Sequence, residues 1–304
     1  MKRLKFLFIA QCILCSAAVL AHDFEVDGIY YNITDATNKT VEVTYQGSSY
    51  KDSNEYTGSV VIPESVTYNE TTYSVTTIGN YAFRDCSSLT SVEIPSCVTN
   101  IGDYVFYNCS GLTNFEIPNS VTTIGKYAFY NCSSLTSIVI PDGVTSIRET
   151  TFFGCSSLTS VVIPSGITSI GNNAFSRCTG LTNVVIPNSV TTIGNGVFYH
   201  CYGLTSVVIP VSVTTIGSSA FAYCSSLTSV EIPSCVKTIG SSAFYGCTSL
   251  RNLRIEDGEG TLDLGLNDSA NNLFYDCPLE TLYLGRDLSY TKGYSYAYSP
   301  FRDK

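Results

Sequence analysis

Apolar and polar positions repeat along this chain with a fixed period of 23 residues. Each period contains a stretch such as LTSVEIP, in which Val92 and Ile94 alternate with Ser91 and Glu93. Alternate side chains share one face of a strand, and β-branched residues favour strands. The pattern therefore predicts a short strand that ends at Pro95, because proline cannot donate a hydrogen bond to a neighbouring strand.

The rest of the period predicts a return toward the interior followed by a compact turn. Val98 and Ile101 are expected to point inward, and GDYVFYNC predicts an Asp or Ser cap followed by about one turn of helix. Two columns are unbroken over eight periods: the phenylalanines Phe83, Phe106, Phe129, Phe152, Phe175, Phe198, Phe221 and Phe244, and the cysteines Cys86, Cys109, Cys132, Cys155, Cys178, Cys201, Cys224 and Cys247.

No single period has enough apolar residues to enclose a core, so the periods must stack on one another. Periods of about 20–29 residues with spaced leucines are the signature of a leucine-rich-repeat solenoid. The predicted fold is therefore an α/β repeat, a leucine-rich-repeat solenoid of 23-residue turns. Each turn is expected to contain a short parallel strand and a short helical turn.

The two ends depart from the period. Residues 22–62 contain GIYYNI and TVEVTYQG, which alternate like a hairpin and predict an N-terminal β cap over the first turn. We place the solenoid at 63–256 and degenerate repeats at 257–304. The final SPFRDK resembles AFRDC at 82–86, so the tail is either a degenerate cap or the beginning of a repeat in a longer, truncated protein.

Residues 1–21 read as a secretory signal peptide, with a basic start, an apolar run and the small-residue cleavage site VLA. The apolar run is shorter than the roughly 20 residues that a membrane-spanning helix needs. A transmembrane anchor and a lipoprotein signal at Cys12 or Cys15 are the alternatives. We expect a secreted or cell-surface protein with no transmembrane segment after the signal peptide.

The repeat resembles the BspA-like, or Treponema pallidum-type, leucine-rich-repeat family. The matching pattern, I-P-x-x-V-T-x-I-G-x-x-A-F-x-x-C-x-x-L-T-x-[IV], covers roughly Val60 to Pro233, and the signal peptide with DFEVDGIYYNI resembles secreted Bacteroidetes members. The resemblance implies an adhesin that binds host matrix proteins such as fibronectin and fibrinogen, or other bacteria. It supplies no motif of binding residues.

Charge and histidine content argue against several classes of function. The chain has 16 basic and 25 acidic residues, a net charge of −9, so nucleic acid is a poor partner. With only His22 and His200, few catalytic dyads or triads of a nucleophile and a histidine can form, and no phosphate-binding glycine motif is present. We expect no enzyme activity, no cofactor and no metal, since close C-x2-C pairs are lacking after the leader.

The cysteine column has two readings. Neighbouring turns could bring Cα atoms into disulfide range. However, side chains in a stacked column all point into the core, which favours a ladder of buried, reduced thiols. Cys97 and Cys235 lie off this column and are expected to be exposed.

A glycine column also has two readings, a positive φ or a simple lack of space. Arg148 interrupts the column and favours lack of space. The members are Gly79, Gly102, Gly125, Gly171, Gly194, Gly217 and Gly240.

One position per strand is predicted to point outward, and we name this set the outward column. Four successive valines with glutamates at both ends predict a contact surface for a protein segment or a glycan. The alternative is that valines simply stack well on an exposed ladder. The candidate binding residues are Glu93, Glu116, Val139, Val162, Val185, Val208 and Glu231, and Arg254 comes next in the column.

The second candidate surface is a tyrosine column, Tyr107, Tyr130, Tyr199 and Tyr245, which either binds a partner or covers the neighbouring turn. The predicted function is a non-enzymatic, adhesin-type binding protein whose ligand is a protein or glycan on a host or bacterial surface. The alternative is a structural spacer or a fragment of a larger surface protein.

Overall fold

The computed structural model describes residues 22–47, 49, 56–113, 115–267 and 272–292. The predicted signal peptide and the tail after residue 292 lie outside these residues. The described part of the chain contains strands and turns and no helix. It is a solenoid of stacked turns, as the period predicts.

The N-terminal region forms β1 (Phe24–Val26), β2 (Ile29–Asp35), β3 (Thr40–Thr44), β4 (Gly58–Val61), β5 (Ser65–Tyr68) and β6 (Thr71–Ile78). Strands β1, β2 and β3 pair antiparallel, and β3 then pairs in parallel with β6. The Tyr56 ring lies 4.7 Å from the ring of Phe83, the first member of the phenylalanine column. The assignment of residues 22–62 as a cap, with the other domain boundaries, stays a prediction.

The repeated LTSVEIP stretches form the first strand face. Its strands are β7 (Leu89–Glu93), β10 (Ser137–Val139), β12 (Ser160–Val162), β14 (Asn183–Val185), β16 (Ser206–Val208), β18 (Ser229–Ile232), β20 (Asn252–Ile255) and β22 (Thr281–Leu284). They pair in parallel as β10 with β12, β14 with β16, and β18 with β20 and then β22, while β7 pairs with β4. Partners from β10 to β20 are one period apart, as in Val139 opposite Val162, whereas Asn252 in β20 lies opposite Thr281 in β22. Each of these strands ends no later than the residue before the proline, or before the residue that replaces the proline in that period.

The second strand face is formed by the inward-pointing isoleucines and the residues before them. Its strands are β8 (Asn100–Ile101), β9 (Thr123–Ile124), β11 (Ser146–Ile147), β13 (Ser169–Ile170), β15 (Thr192–Ile193), β17 (Thr215–Ile216), β19 (Thr238–Ile239), β21 (Leu262–Asn267) and β23 (Leu288–Lys292). One sheet runs from β1 through β3, β6 and β8 to β9, and a second runs from β11 to β23.

The segments that carry the phenylalanine and cysteine columns form the turn face, and here the prediction of a helical turn is wrong. Two residues per period have positive φ, as in Tyr104 (58°) and Asn108 (59°), so the chain makes successive tight turns. The Phe106 N–H donates to the carbonyl of Ala128 in the next period at 2.7 Å rather than back along a helix. The predicted Asp or Ser cap of this helical turn is also wrong, since the Asp103 carboxylate accepts the N–H of Lys126 in the next period.

The interior is built from columns. Each phenylalanine is fully buried and stacks on the next, as in Phe129 and Phe152 with centroids 5.3 Å apart and planes 9° apart. The cysteines of the column are buried and free, and each thiol from Cys109 onward donates to a phenylalanine carbonyl of the preceding period. The structure thus supports the reduced, buried reading of the column.

Cys97 and Cys235, expected to be exposed, are half-buried. Their thiols donate to the carbonyls of Val75 and Val213 at 3.1 and 3.2 Å. Ser120 donates in the same way to the period before it, so each cysteine replaces a serine in an equivalent contact.

Candidate functional site

The four valines of the outward column form an exposed apolar row on the first strand face. Their exposed fractions are 60% for Val139, 56% for Val162, 75% for Val185 and 71% for Val208. Val139 pairs with Val162 and Val185 with Val208, so strand register holds successive members side by side. The Thr182 N–H donates to the Thr159 carbonyl and links the two pairs.

This row exists because the two faces of each strand have different neighbours. Ile138 and Val161 point into the core and are nearly fully buried, while the residue after each points to solvent. When a partner covers large apolar side chains that are exposed to water, the free energy of the complex falls.

At the N-terminal end of the row, Glu93 and Glu116 are exposed and face a cleft of about 800 Å³. The cleft arises because the described residues between β7 and β10 form no strand on this face. Phe115 occupies the position that Val or Ile takes in other periods. Its ring packs edge-on against Phe106 and Phe129 of the phenylalanine column, with ring centroids 4.8 and 5.1 Å apart.

At the C-terminal end of the row, Glu231 is paired rather than free. Arg254, opposite it in the next strand, places its Nε 2.8 Å from the Glu231 carboxylate. The Arg254 guanidinium also lies 4.5 Å from the ring centroid of Tyr283, whose hydroxyl donates to Asp257 at 2.9 Å. The outward column therefore changes from apolar to an ion pair and an aromatic ring at this end.

The tyrosine column predicted from the sequence lies on the turn face and is half-buried. The rings of Tyr107 and Tyr130 stack 4.6 Å apart, and Tyr130 stacks on Phe153 at 4.8 Å. Each ring therefore covers the neighbouring turn. A second column, Tyr81, Tyr104 and Tyr127, was not identified as a candidate, although its members have the same 23-residue spacing that revealed the others.

His200 is half-buried and belongs to an aromatic cluster on the turn face. It stacks on Tyr223 at 4.5 Å, and its Nδ1 lies 2.6 Å from the Tyr202 hydroxyl. Burial, followed by the charge of Arg177, lowers the pKa of His200.

The stacked turns with their parallel strands define the class of protein, a repeat solenoid. The profile described as BspA type Leucine rich repeat region (6 copies) matches residues 63–182 and 169–302. The chain belongs to this family. Leucine-rich repeat proteins are in general non-enzymatic scaffolds for protein interaction.

Solved structures of leucine-rich repeat proteins are similar to this chain. One from T. pallidum is 28% identical with a TM-score of 0.47, over 75% of this chain and 90% of that one. A leucine rich cell surface protein from Faecalibacterium prausnitzii is 24% identical with a TM-score of 0.41, over 89% and 95%. A third, from Bacteroides ovatus, is 25% identical with a TM-score of 0.30, over 89% and 100%.

No curated protein matches the chain. Among the residues that the structure describes, no helix has the length and apolar character needed to cross a membrane.

Proposed function

We propose that the chain is a secreted or cell-surface adhesin that binds a protein or glycan on a host or bacterial surface through the outward column. The observation that carries the proposal is the row Val139, Val162, Val185 and Val208, exposed by 56–75% and held side by side by strand register. Contact would be spread over several turns, because each turn contributes one side chain.

Small side chains flank the row and favour an extended ligand. Ser160 and Ser206 lie two residues before Val162 and Val208, and both are exposed. A flat surface of this kind fits a segment laid across the strands, whereas small molecules bind in concave sites. The expected partner is therefore a protein segment or a glycan chain.

The test replaces two central valines by lysine, as Val162→Lys with Val185→Lys. Capture of matrix proteins, glycans and bacterial cells by the full chain from residue 22 is measured on an array. We expect capture of the true partner to fall by at least about tenfold, because the charges must be desolvated on binding. The circular dichroism spectrum should not change, since both side chains are exposed.

The matched control is Thr168→Lys with Thr191→Lys, which adds the same charge to the same two turns on the second strand face. Both threonines are exposed. This variant should bind as the wild type does. Equal capture by the valine variant and the wild type for every ligand bound would contradict the proposal and favour a structural spacer.

A further inference from the structure

A polar cavity lies where the N-terminal strands continue the second strand face. Its volume is about 400 Å³, within the range of ~300–1,000 Å³ that is usual for small-molecule sites. The outward column is on the first strand face and contributes nothing to it. The lining includes one carboxylate, three side-chain amides and two tyrosine rings, from Glu42, Asn32, Asn80, Asn100, Tyr45 and Tyr81.

Strand pairing places four polar residues of the cavity in one row. Asn32 in β2 lies opposite Glu42 in β3, Glu42 lies opposite Thr77 in β6, and Thr77 lies opposite Asn100 in β8. Later periods continue this row with threonine and serine alone, which are Thr123, Ser146, Ser169, Thr192, Thr215 and Thr238. The repeat itself therefore does not require an amide or a carboxylate at this position.

The backbone around Glu42 makes room for its carboxylate. Val41 lies opposite Val75 whereas Glu42 lies opposite Thr77, so β6 contains one extra residue between these pairs. Such bulges are frequent beside functional sites, where they re-aim a side chain. A Cβ at Gly79 would lie 2.7 Å from Cδ of Glu42, so the carboxylate occupies space that any other residue at position 79 would fill.

The polar groups of the cavity can form further hydrogen bonds. Nδ2 of Asn32 donates to Oε1 of Glu42 at 3.3 Å, and within the described residues no other donor reaches this carboxylate. A carboxylate can accept about four hydrogen bonds. Burial raises the pKa of the Glu42 carboxyl, and the Asn32 hydrogen bond opposes this rise. The carboxylate has thus lost part of its hydration, and donors on a ligand would replace it.

The orientation of one amide is fixed by the next period. Oδ1 of Asn80 accepts the backbone N–H of Asp103 at 2.7 Å. The Nδ2 group of Asn80 is therefore the part of this exposed side chain that can donate to a ligand. The cavity thus combines an acceptor at Glu42 with a donor at Asn80.

This combination favours a neutral ligand that carries several hydroxyl groups. Each hydroxyl donates one hydrogen bond and accepts two, which suits a carboxylate beside amides. The rings of Tyr45 and Tyr81 supply apolar surface against which the C–H face of a sugar ring can pack. An anionic ligand is disfavoured, because Glu42 is the charged residue of the lining and the chain has a net charge of −9.

A peptide strand and a metal ion fit this cavity less well. Strands β3 and β6 are each paired on both sides, so a peptide cannot bind here by adding a strand to the sheet. Calcium takes about six to eight oxygen ligands, and an N–H of Asn32 already bonds the carboxylate. Across the described residues, no group of three or more histidine, cysteine, aspartate or glutamate side chains could hold a metal ion.

We propose that this cavity binds a neutral sugar unit of a glycan. Hydroxyl groups of the sugar donate to Glu42 and exchange hydrogen bonds with the amides of Asn32, Asn80 and Asn100, while a face of the ring packs against a tyrosine. This site is separate from the outward column and goes beyond the function proposed above, so either proposal can fail without the other.

The test measures binding of four neutral disaccharides, maltose, lactose, mannobiose and chitobiose, to the full chain from residue 22 by isothermal titration calorimetry. We expect at least one to bind with a dissociation constant below about 10 mM. Glu42→Gln keeps the size of the side chain and removes its charge. Its affinity should fall at least about tenfold, because hydrogen bonds to a charged acceptor are the stronger ones. Its thermal midpoint should stay equal or rise, since a half-buried charge is removed.

A second variant, Asn100→Thr, introduces the residue that the next period has at this position, Thr123. It should weaken binding several-fold, and it tests the cavity even where the Glu42 variant fails to fold. The matched control is Thr192→Asn, which makes the reverse change on the same face outside the cavity. Thr192 is exposed, and this control should bind as the wild type does.

Val162→Lys with Val185→Lys should also bind the disaccharide like the wild type, which separates this proposal from the first. Absence of binding by all four disaccharides up to about 10 mM overturns the proposal. Equal affinity of the wild type and both cavity variants overturns it as well. Tighter binding of 3′-sialyllactose than of every neutral disaccharide would contradict the charge argument. Calcium binding that Glu42→Gln abolishes, without sugar binding, would assign the cavity to a metal ion instead.

Discussion

A missing side chain decides how closely two turns approach at the glycine column. None of the seven glycines of this column has positive φ. A Cβ at Gly125 would lie 2.3 Å from the carbonyl oxygen of Gly102, and a Cβ at Gly217 would lie 2.6 Å from the Asn195 nitrogen. Lack of space therefore explains the column. The sequence left both readings open because it does not contain the distance between turns.

Arg148 shows the consequence of placing a side chain in this column. The N–H of Gly125 donates to Ile101 and that of Gly171 to Ile147, each at 2.8–2.9 Å. The turn that contains Arg148 shows no such bond to Ile124 within the described residues, and the second strand face divides here between β9 and β11.

At this scale we predict that Gly217→Ala lowers the free energy of unfolding by roughly 1–3 kcal/mol, because the backbone of the preceding turn must move. Gly166→Ala is the control. Its Cβ would be 3.3 Å from the nearest atom, and Ser189 occupies the equivalent position in the next period. The control should change stability by less than about 1 kcal/mol. Urea unfolding compares the two, and equal losses would refute the crowding argument.

The turn segment is the element that the sequence described least well. Spacing of Phe and Cys indicated a compact, buried segment, and that part is confirmed. A helix was wrong because backbone groups bond to the next period, a partner that no local pattern reveals. Both positive-φ positions could have been suspected from Asn108, Asn131, Asn173 and Gly196, since asparagine and glycine tolerate this region.

Because of the cysteine column, the stability of the turn segment depends on pH. Burial raises the pKa of the Cys155 thiol to about 12, against an ordinary value of 9.0. The folded state therefore favours the protonated thiol. Its contribution to stability is complete below pH 9 and is lost as pH rises from there toward 12.

We predict that Cys155→Ser becomes more stable relative to the wild type as pH rises above 9, by up to about 1.4 kcal/mol per pH unit. Serine does not ionise in this range, and its hydroxyl can replace the thiol bond to the Phe129 carbonyl. Urea unfolding from pH 7 to 11 measures the difference. A constant difference over this range would show that the thiol ionises as readily in the folded chain.

For the whole molecule, the regular period made the solenoid predictable, because seven identical spacings of 23 residues leave one way to align the turns. The outward column followed from strand alternation, and the structure exposes its valines as expected. Two features were not predictable. The edge-on packing of Phe115 against Phe106 depends on tertiary contact, and the pairing of Glu231 with Arg254 depends on the distance between adjacent strands.

The central claim is that the turns are interchangeable units stacked in a 23-residue register, and deletion tests it most directly. Removing residues 160–182 takes out one full period and brings Val185 opposite Val139. We predict a folded protein with unchanged circular dichroism per residue, one thermal transition and a midpoint lowered by only a few degrees. Removing residues 160–171 deletes β12 and β13 but leaves the turn segment, and should abolish the cooperative transition. Cooperative folding of the half-period deletion, or unfolding of the full-period deletion, would contradict the account.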